Sequence, residues 1–289
     1  KVAILFSHDS NDALNFMPFN GDGSNWEESN NNAYRGQLVA QFHRVLYQNN
    51  IGVDFIFPED PDPEKYDLVI VPALYVASDA LLGQINDYIR NGGHVIMQFK
   101  SGFSDENSMV RPVLAPGPLR EACGFYYQEF SNIKSLPLKD NPFDVEDNSA
   151  VDWMEFLIPE TARALAYYDH PYFSQYPAVT INDFGKGTLL YEGSLLSDQI
   201  QTRIIEEAVE RAGIDHPDHQ YAWPVIAKSG RNDDGNMVHF YYNYSSEPIN
   251  LTYHHPSGTE LVSEAAVAEG EWLVVEPWGV LIIEEGSGR

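Results

Sequence analysis

The sequence predicts an α/β domain, with a parallel sheet covered by helices on both faces, followed by a small all-β antiparallel sandwich. Over residues 1–213, apolar runs of strand length alternate with segments of helical periodicity, which is typical of a parallel sheet. After Asp215 the helical periodicity stops and short, aromatic-rich alternating runs follow, which favours antiparallel strands. These two patterns place the domain boundary near residues 214–222.

Four apolar runs predict the central strands of the sheet. They lie at residues 2–6, 53–57, 67–71 and 94–99. Their side chains do not alternate between apolar and polar, as expected for parallel strands that are buried on both faces. Right-handed crossover connections are therefore expected between them.

Three segments predict helices between and after these strands. Residues 33–49 carry apolar side chains at helical spacing, from Leu38 to Leu46. Ser78 is a plausible N-cap for the next helix, and Gly92-Gly93 supplies its end. A third helix is predicted over residues 198–212. The Asn- and Gly-rich residues 20–32 predict a loop.

The stretch from residue 101 to about 176 is rich in Pro, Asn and aromatic residues, and no element is assigned to it. Two further strands are predicted at residues 178–181 and 188–192, joined through Gly185 and Gly187. The predicted architecture is flavodoxin-like or glutamine-amidotransferase-like. The predicted domains are residues 1–215 and 220–289.

Composition restricts the classes of partner. The chain has 289 residues and a net charge of −26, from 43 acidic and 17 basic side chains. Such a charge repels phosphate backbones and anionic lipid, so neither nucleic acid nor a membrane is an expected partner. The acidic surface is explained by a need for solubility. Adaptation of the source to high salt is the alternative explanation. The single cysteine, Cys123, excludes an internal disulfide and favours a reducing, cytoplasmic location.

A nucleophilic enzyme would need a Cys or Ser at a strand-to-helix turn, with a basic partner. Glutamine amidotransferases place a Cys after such a strand, but here the turn contains Lys100, Ser101 and Gly102. Cys123 lies further along, in an apolar helical setting that predicts a core residue. Ser101 lacks the small flanking residues of a nucleophile elbow.

Acidic and histidine pairs are also weak candidates. The adjacent pairs Glu27-Glu28, Asp105-Glu106 and Asp233-Asp234 are expected to be solvated. The histidines of His254-His255 and of His216 with His219 lack the spacing of known metal motifs. No catalytic, cofactor-binding or metal-binding residue is therefore predicted.

Several stretches together carry a resemblance to a known family. They are residues 66–75, 91–96, 100–107, 115–124, 184–193, 240–244 and 275–280. In this order and spacing they resemble the C-terminal half of family 42 glycoside hydrolases, which are bacterial β-galactosidases. Tyr244 stands where that family often has a histidine.

The resemblance implies a parent enzyme that hydrolyses terminal β-D-galactosides and assembles as a homotrimer through its α/β domain. In that family both catalytic glutamates lie on a barrel domain, which no segment here resembles. The chain is therefore expected to be non-catalytic and to contact its own barrel domain. A stand-alone amidotransferase-like hydrolase and a sugar-binding module that stacks exposed aromatic rings on sugars are the alternatives.

The segment after the fourth strand is the predicted interface, or part of the wall of the substrate pocket. It combines apolar and charged side chains, which suits a contact surface with a charged rim. The candidate residues are Lys100, Ser101, Gly102, Phe103, Asp105, Glu106, Asn107, Arg111, Leu114, Pro116, Gly117 and Arg120.

Overall fold

The computed structural model describes residues 1–20 and 33–286. The predicted loop at residues 20–32 therefore lies almost entirely outside the described residues. The chain divides into two compact units. The first contains residues 1–43 and 53–214, and the second contains residues 44–52 together with the residues from 215 onward.

The helices of the described residues are few and mostly short. They are α1 (His8–Phe16), α2 (Ala40–Gln48), α3 (Asp79–Asn91), α4 (Arg120–Cys123) and α5 (Asp198–Arg211), and a π-helical stretch, Tyr34–Val39, runs directly into α2. Single 3-10 turns lie at Pro63–Lys65, Gly117–Leu119 and Pro217–Gln220.

Strands are more numerous than helices. The first unit contains β1 (Val2–Leu5), β2 (Val53–Ile56), β3 (Leu68–Val71), β4 (His94–Gln98), β5 (Phe125–Tyr126), β6 (Phe130–Lys139), β7 (Ser149–Glu155), β8 (Ile158–Pro159), β9 (Arg163–Tyr168), β10 (Pro177–Phe184), β11 (Gly187–Glu192) and β12 (Leu195–Leu196). The second contains β13 (Val225–Arg231), β14 (Met237–Asn243), β15 (Ile249–Thr252), β16 (Gly258–Glu260), β17 (Ala266–Val267), β18 (Trp272–Val275) and β19 (Val280–Glu285).

Ten strands of the first unit form one mixed sheet, in the order β12-β7-β6-β9-β10-β11-β4-β3-β1-β2. Neighbours from β2 to β11 are parallel, whereas neighbours from β11 to β12 are antiparallel. The predicted parallel sheet, flavodoxin-like or glutamine-amidotransferase-like and flanked by helices, is therefore wrong. Only half of the sheet is parallel, because residues 101–176 contribute further antiparallel strands.

The sequence pattern concealed these strands for a physical reason. The pairing of β6 with β7 changes register between Ile133 and Ser135, so the alternation of side chains is interrupted there. Asp152 of β7 has a φ of +64°, a left-handed conformation that breaks the strand pattern again. Irregular strands of this kind give no clean period of two.

Helix α3 packs against the parallel half of the sheet. Leu82, Ile85 and Ile89 of α3 pack with Val69 and Val95 in one core cluster. The N-cap Ser78 accepts a hydrogen bond from the backbone N–H of Leu81, as the sequence predicted. On the opposite face, Gln201 of α5 donates to Glu192 of β11.

The second unit contains two antiparallel sheets. One has five strands in the order β13-β14-β19-β16-β17, and β15 pairs with β18 in the other. Tyr241 and Ile283 of the larger sheet share a core with Leu251 and Val275 of the smaller sheet. No helix among the described residues is long and apolar enough to cross a membrane.

Candidate functional site

The buried hydroxyl group of Ser101 helps to join the loops after β3 and β4. Ser101 Oγ donates to the carbonyl of Gln98 at 2.7 Å and accepts from the backbone N–H of Leu74 at 3.0 Å. Ser101 is fully buried. The hydroxyl therefore fixes the distance between two loops at the carboxyl edge of the parallel strands, and it does not face solvent as a nucleophile would.

Lys100 lies in a cage of aromatic rings. Its ammonium group is 3.9 Å from the centre of the Trp153 ring and 5.4 Å from that of Tyr75. Phe130 and Phe103 complete the cage at 5.7 Å and 6.0 Å. Burial lowers the pKa of Lys100 to about 8, against the opposing charge of Glu155. The cage thus holds a cation within an aromatic wall, which supplies cation–π attraction.

Glu155 holds the backbone of Lys100 in position. Its carboxylate accepts hydrogen bonds from the backbone N–H of Lys100 at 2.8 Å and from the Tyr191 hydroxyl at 2.9 Å. Burial raises the pKa of Glu155 to about 7, against the effect of these donors. The backbone of Lys100 has a φ of +61°, so the bond to Glu155 stabilises a left-handed conformation.

A second buried carboxylate lies at the end of β11, the strand that pairs with β4. Glu192 accepts from the side-chain amides of Gln98 at 3.1 Å and Gln201 at 2.8 Å, and burial raises its pKa to about 7. Sequence reasoning missed Glu155 and Glu192 because it examined only adjacent acidic pairs. Both side chains are fully buried, so neither reaches a substrate in solution.

The predicted interface segment is held by contacts with other parts of the first unit. Arg111 forms an ion pair with Asp79 and donates to the carbonyl of Ala77 at 2.6 Å. Arg120 makes two hydrogen bonds to Glu160, at 2.8 Å and 2.5 Å. These arginines therefore fix the middle and the end of the segment to the first unit.

Two turns within the segment depend on glycine. Gly102 has a φ of +70°, and a Cβ atom there would lie 2.6 Å from the carbonyl oxygen of Pro116. Gly117 has a φ of +63° and lies against the Arg111 side chain. Between them, the Asp105 carboxylate accepts from the backbone N–H groups of Asn107 and Met109 at 2.9 Å. Glu106 and Asn107 are exposed.

The apolar residues of the segment differ in exposure. Phe103 is only partly exposed and packs against the core, and Leu114 is half-buried. Met109, Val110 and Val113 expose 61%, 57% and 60% of their surface. We call these three residues the apolar tip.

The other chemical candidates lie apart from this segment. Cys123 is fully buried, and burial raises the pKa of its thiol well above the usual value, so it is not a reactive nucleophile. Asp233 and Asp234 are exposed, and Glu27-Glu28 lies outside the described residues. His254 is exposed, whereas His255 is buried and lies close to His239 and Glu285.

The tryptophans that were considered for sugar stacking are either buried or exposed. Trp153 is buried within the Lys100 cage. Trp272 and Trp278 expose 75% and 70% of their surface, and Trp223 stacks on Tyr244 with ring centres 5.7 Å apart. A sugar-binding role for these exposed rings stays a prediction.

Comparisons with known proteins agree with both units. The β-galactosidase trimerisation domain family matches residues 1–215, and the β-galactosidase C-terminal domain family matches residues 225–285. β-Galactosidase BgaB of Geobacillus sp. is 33% identical over 175 residues, which cover 59% of this chain and 25% of that protein. β-Galactosidase LacZ of Heyndrickxia coagulans is 33% identical over 181 residues, which cover 63% of this chain and 27% of that protein.

The fold is shared with solved structures. The crystal structure of β-galactosidase from Bacillus circulans sp. alkalophilus matches 99% of this chain and 41% of its own, with a TM-score of 0.82 and 23% identity. The family matches to both units place the chain among the glycoside hydrolases. This chain belongs to the family 42 β-galactosidases, as their trimerisation and C-terminal domains. The match to Geobacillus BgaB spans about a quarter of that relative.

Proposed function

We propose that this chain is the non-catalytic C-terminal part of a β-galactosidase that hydrolyses terminal β-D-galactosides through a separate barrel domain. Its role is to assemble the enzyme as a homotrimer. In this proposal the carboxyl edge of the parallel strands also borders the substrate pocket of a barrel. The matches to both non-catalytic domains of the family support this assignment. The proposed location is cytoplasmic, which the single cysteine favours.

The apolar tip is the observation on which the assembly role rests. Three neighbouring apolar side chains, Met109, Val110 and Val113, are more than half exposed. The loop that carries them is fixed by Arg111 and by the Asp105 turn. A rigid loop that presents apolar side chains next to charged ones has the arrangement of an interface core with a polar rim.

The test uses the full-length parent enzyme. The substitutions Met109→Asp and Val113→Asp place charges in the proposed contact, where burial of an unpaired charge is costly. Light scattering should then show a fall from the trimer to the monomer mass, with an unchanged circular dichroism spectrum. Val262→Asp, at a valine that is 75% exposed in the second unit, is the matched control. A trimer that survives both tip substitutions would exclude the tip as the contact.

A further inference from the structure

A cluster of histidines and carboxylates lies within the second unit, away from the segment described above. His239 is on β14, Glu285 ends β19 and His255 follows β15. One ligand atom from each of these three residues lies within 4.8 Å of the other two. His239 and His255 are 2% and 7% exposed, so the cluster is built into the domain.

Both ring nitrogens of His239 have polar partners. Ser229 Oγ lies 2.7 Å from His239 Nδ1 and 3.3 Å from Asp218 Oδ2. His239 Nε2 lies 2.9 Å from Glu285 Oε1. When Nδ1 carries the hydrogen and donates to Ser229, the lone pair of Nε2 faces the Glu285 carboxylate, and a cation bound by both groups satisfies this contact.

His255 has the corresponding arrangement. Its Nε2 lies 2.9 Å from Asp218 Oδ1, and an ionised carboxylate only accepts, so Nε2 carries the hydrogen. The lone pair of the neutral ring is then on Nδ1. Each histidine therefore has one nitrogen fixed by an outer acceptor and a second nitrogen available as a ligand. Metal-binding histidines are oriented in this way by carboxylates and hydroxyl groups.

We propose that His239, His255 and Glu285 form a binding site for a divalent transition-metal ion, with Zn²⁺ as the best match. Two imidazole nitrogens and one carboxylate oxygen are ligands that Zn²⁺ accepts readily. Asp218 and Ser229 are the outer residues that orient the two rings. The side chain of Glu285 is 21% exposed, which gives the ion and a completing water molecule a route from solvent.

The alternative to a metal ion is a second proton on His239. It makes the imidazole ring cationic and pairs it with Glu285. The two imidazole rings stack with their centres 3.8 Å apart and their planes at 20°. Metal binding requires the rings to turn apart until both lone pairs point at one ion, which is a measurable change.

The experiment titrates ZnCl₂ into the chelator-treated 289-residue chain by calorimetry at pH 7.5. The expected result is one ion per chain and a raised melting temperature, because binding to the folded state alone stabilises it. Glu285→Gln should weaken binding more than 100-fold, yet its amide can donate to His239 Nε2 and so keep the fold. Asp218→Asn should weaken binding about 10–100-fold, as for other outer residues.

The matched control is His254→Gln, at an exposed histidine next to His255. This substitution should leave affinity and stoichiometry unchanged. No Zn²⁺ binding by the unsubstituted chain, or binding that Glu285→Gln leaves intact, would overturn the proposal. Loss of binding in His254→Gln alone would also overturn it, because the site would then be at the surface. None of these outcomes depends on oligomeric state, so the test is independent of the assembly proposal.

Discussion

The Glu155 carboxylate accepts a hydrogen bond from the backbone N–H of Lys100 at 2.8 Å, at the point where the chain leaves the fourth parallel strand. This bond connects the antiparallel half of the sheet, which contains Glu155, to the loop that begins the predicted interface segment. The same carboxylate is fully buried, and its pKa is raised to about 7. Its protonation state is therefore coupled to the stability of the first unit.

The first prediction concerns pH. The pKa of Glu155 is about 7 in the folded chain, against a usual 4.5, so the folded state binds this proton more tightly than the unfolded state does. The stabilising contribution is complete below pH 4.5 and is lost as pH rises through 7. The expected loss from Glu155 is about 3 kcal/mol of unfolding free energy, and urea denaturation at pH 5 and pH 8 measures it as the difference between the unsubstituted chain and Glu155→Gln.

Glu155→Gln should remove most of that loss while keeping the acceptor for the Lys100 N–H. Its amide nitrogen can donate to the Tyr191 hydroxyl oxygen, as the protonated carboxyl group can. Glu106→Gln, at an exposed position, is the control for the general effect of one negative charge. Equal pH dependence in the Glu155 and Glu106 variants would contradict the prediction.

The second prediction concerns Glu192 and its two glutamine partners. The side-chain oxygens of Gln98 and Gln201 are buried and have no hydrogen-bond partner, while both amide nitrogens donate to Glu192. Glu192→Gln supplies a neutral group whose N–H can pair with one of these oxygens after an amide flip. The variant should therefore be more stable at pH 8, by about 1–3 kcal/mol. A variant less stable than the unsubstituted chain at pH 8 would refute this.

How much of the fold can be predicted from the sequence depends on how regular each helix or strand is. The runs at residues 2–6 and 94–99 are strands β1 and β4, because strands buried on both faces have continuous apolar sequences. The antiparallel strands between residues 130 and 168 were missed, since the bulge near Ile133 and the left-handed Asp152 interrupt their alternation.

The site residues that the sequence did not reveal lie far from their partners along the chain. Glu155 and Lys100 are 55 positions apart, and His239 and Glu285 are 46 apart. Neither pair forms a local motif, so only the strand pairing brings them together. The sequence search for adjacent acids and adjacent histidines therefore found His255 but not its partners. The sequence did not separate the exposed tip from the half-buried Phe103 and Leu114, because loop residues carry no period that separates inward from outward side chains.

The third prediction concerns the hydroxyl that joins the loops after β3 and β4. Ser101→Ala removes the acceptor of the Leu74 N–H, and both residues are buried, so no water replaces it. An unpaired buried donor costs about 1–3 kcal/mol of unfolding free energy. Chemical denaturation should show this loss at constant m-value. Ser108→Ala, at an exposed position of the same segment, is the control, and equal stability of the two variants would contradict the role of Ser101.

The last prediction is that the purified 289-residue chain does not hydrolyse a chromogenic β-galactoside. A retaining glycosidase needs two carboxyl groups about 5–5.5 Å apart on either side of an accessible scissile bond. Glu155 and Glu192 have raised pKa values that would suit an acid catalyst, but both are fully buried and their oxygens are already occupied by Tyr191, Gln98 and Gln201. Any trace of activity should therefore be unchanged in Glu155→Gln and Glu192→Gln and should disappear on repurification. Turnover that survives repurification and is abolished by either substitution would show that this chain contains an active site of its own, and the non-catalytic assignment would be wrong.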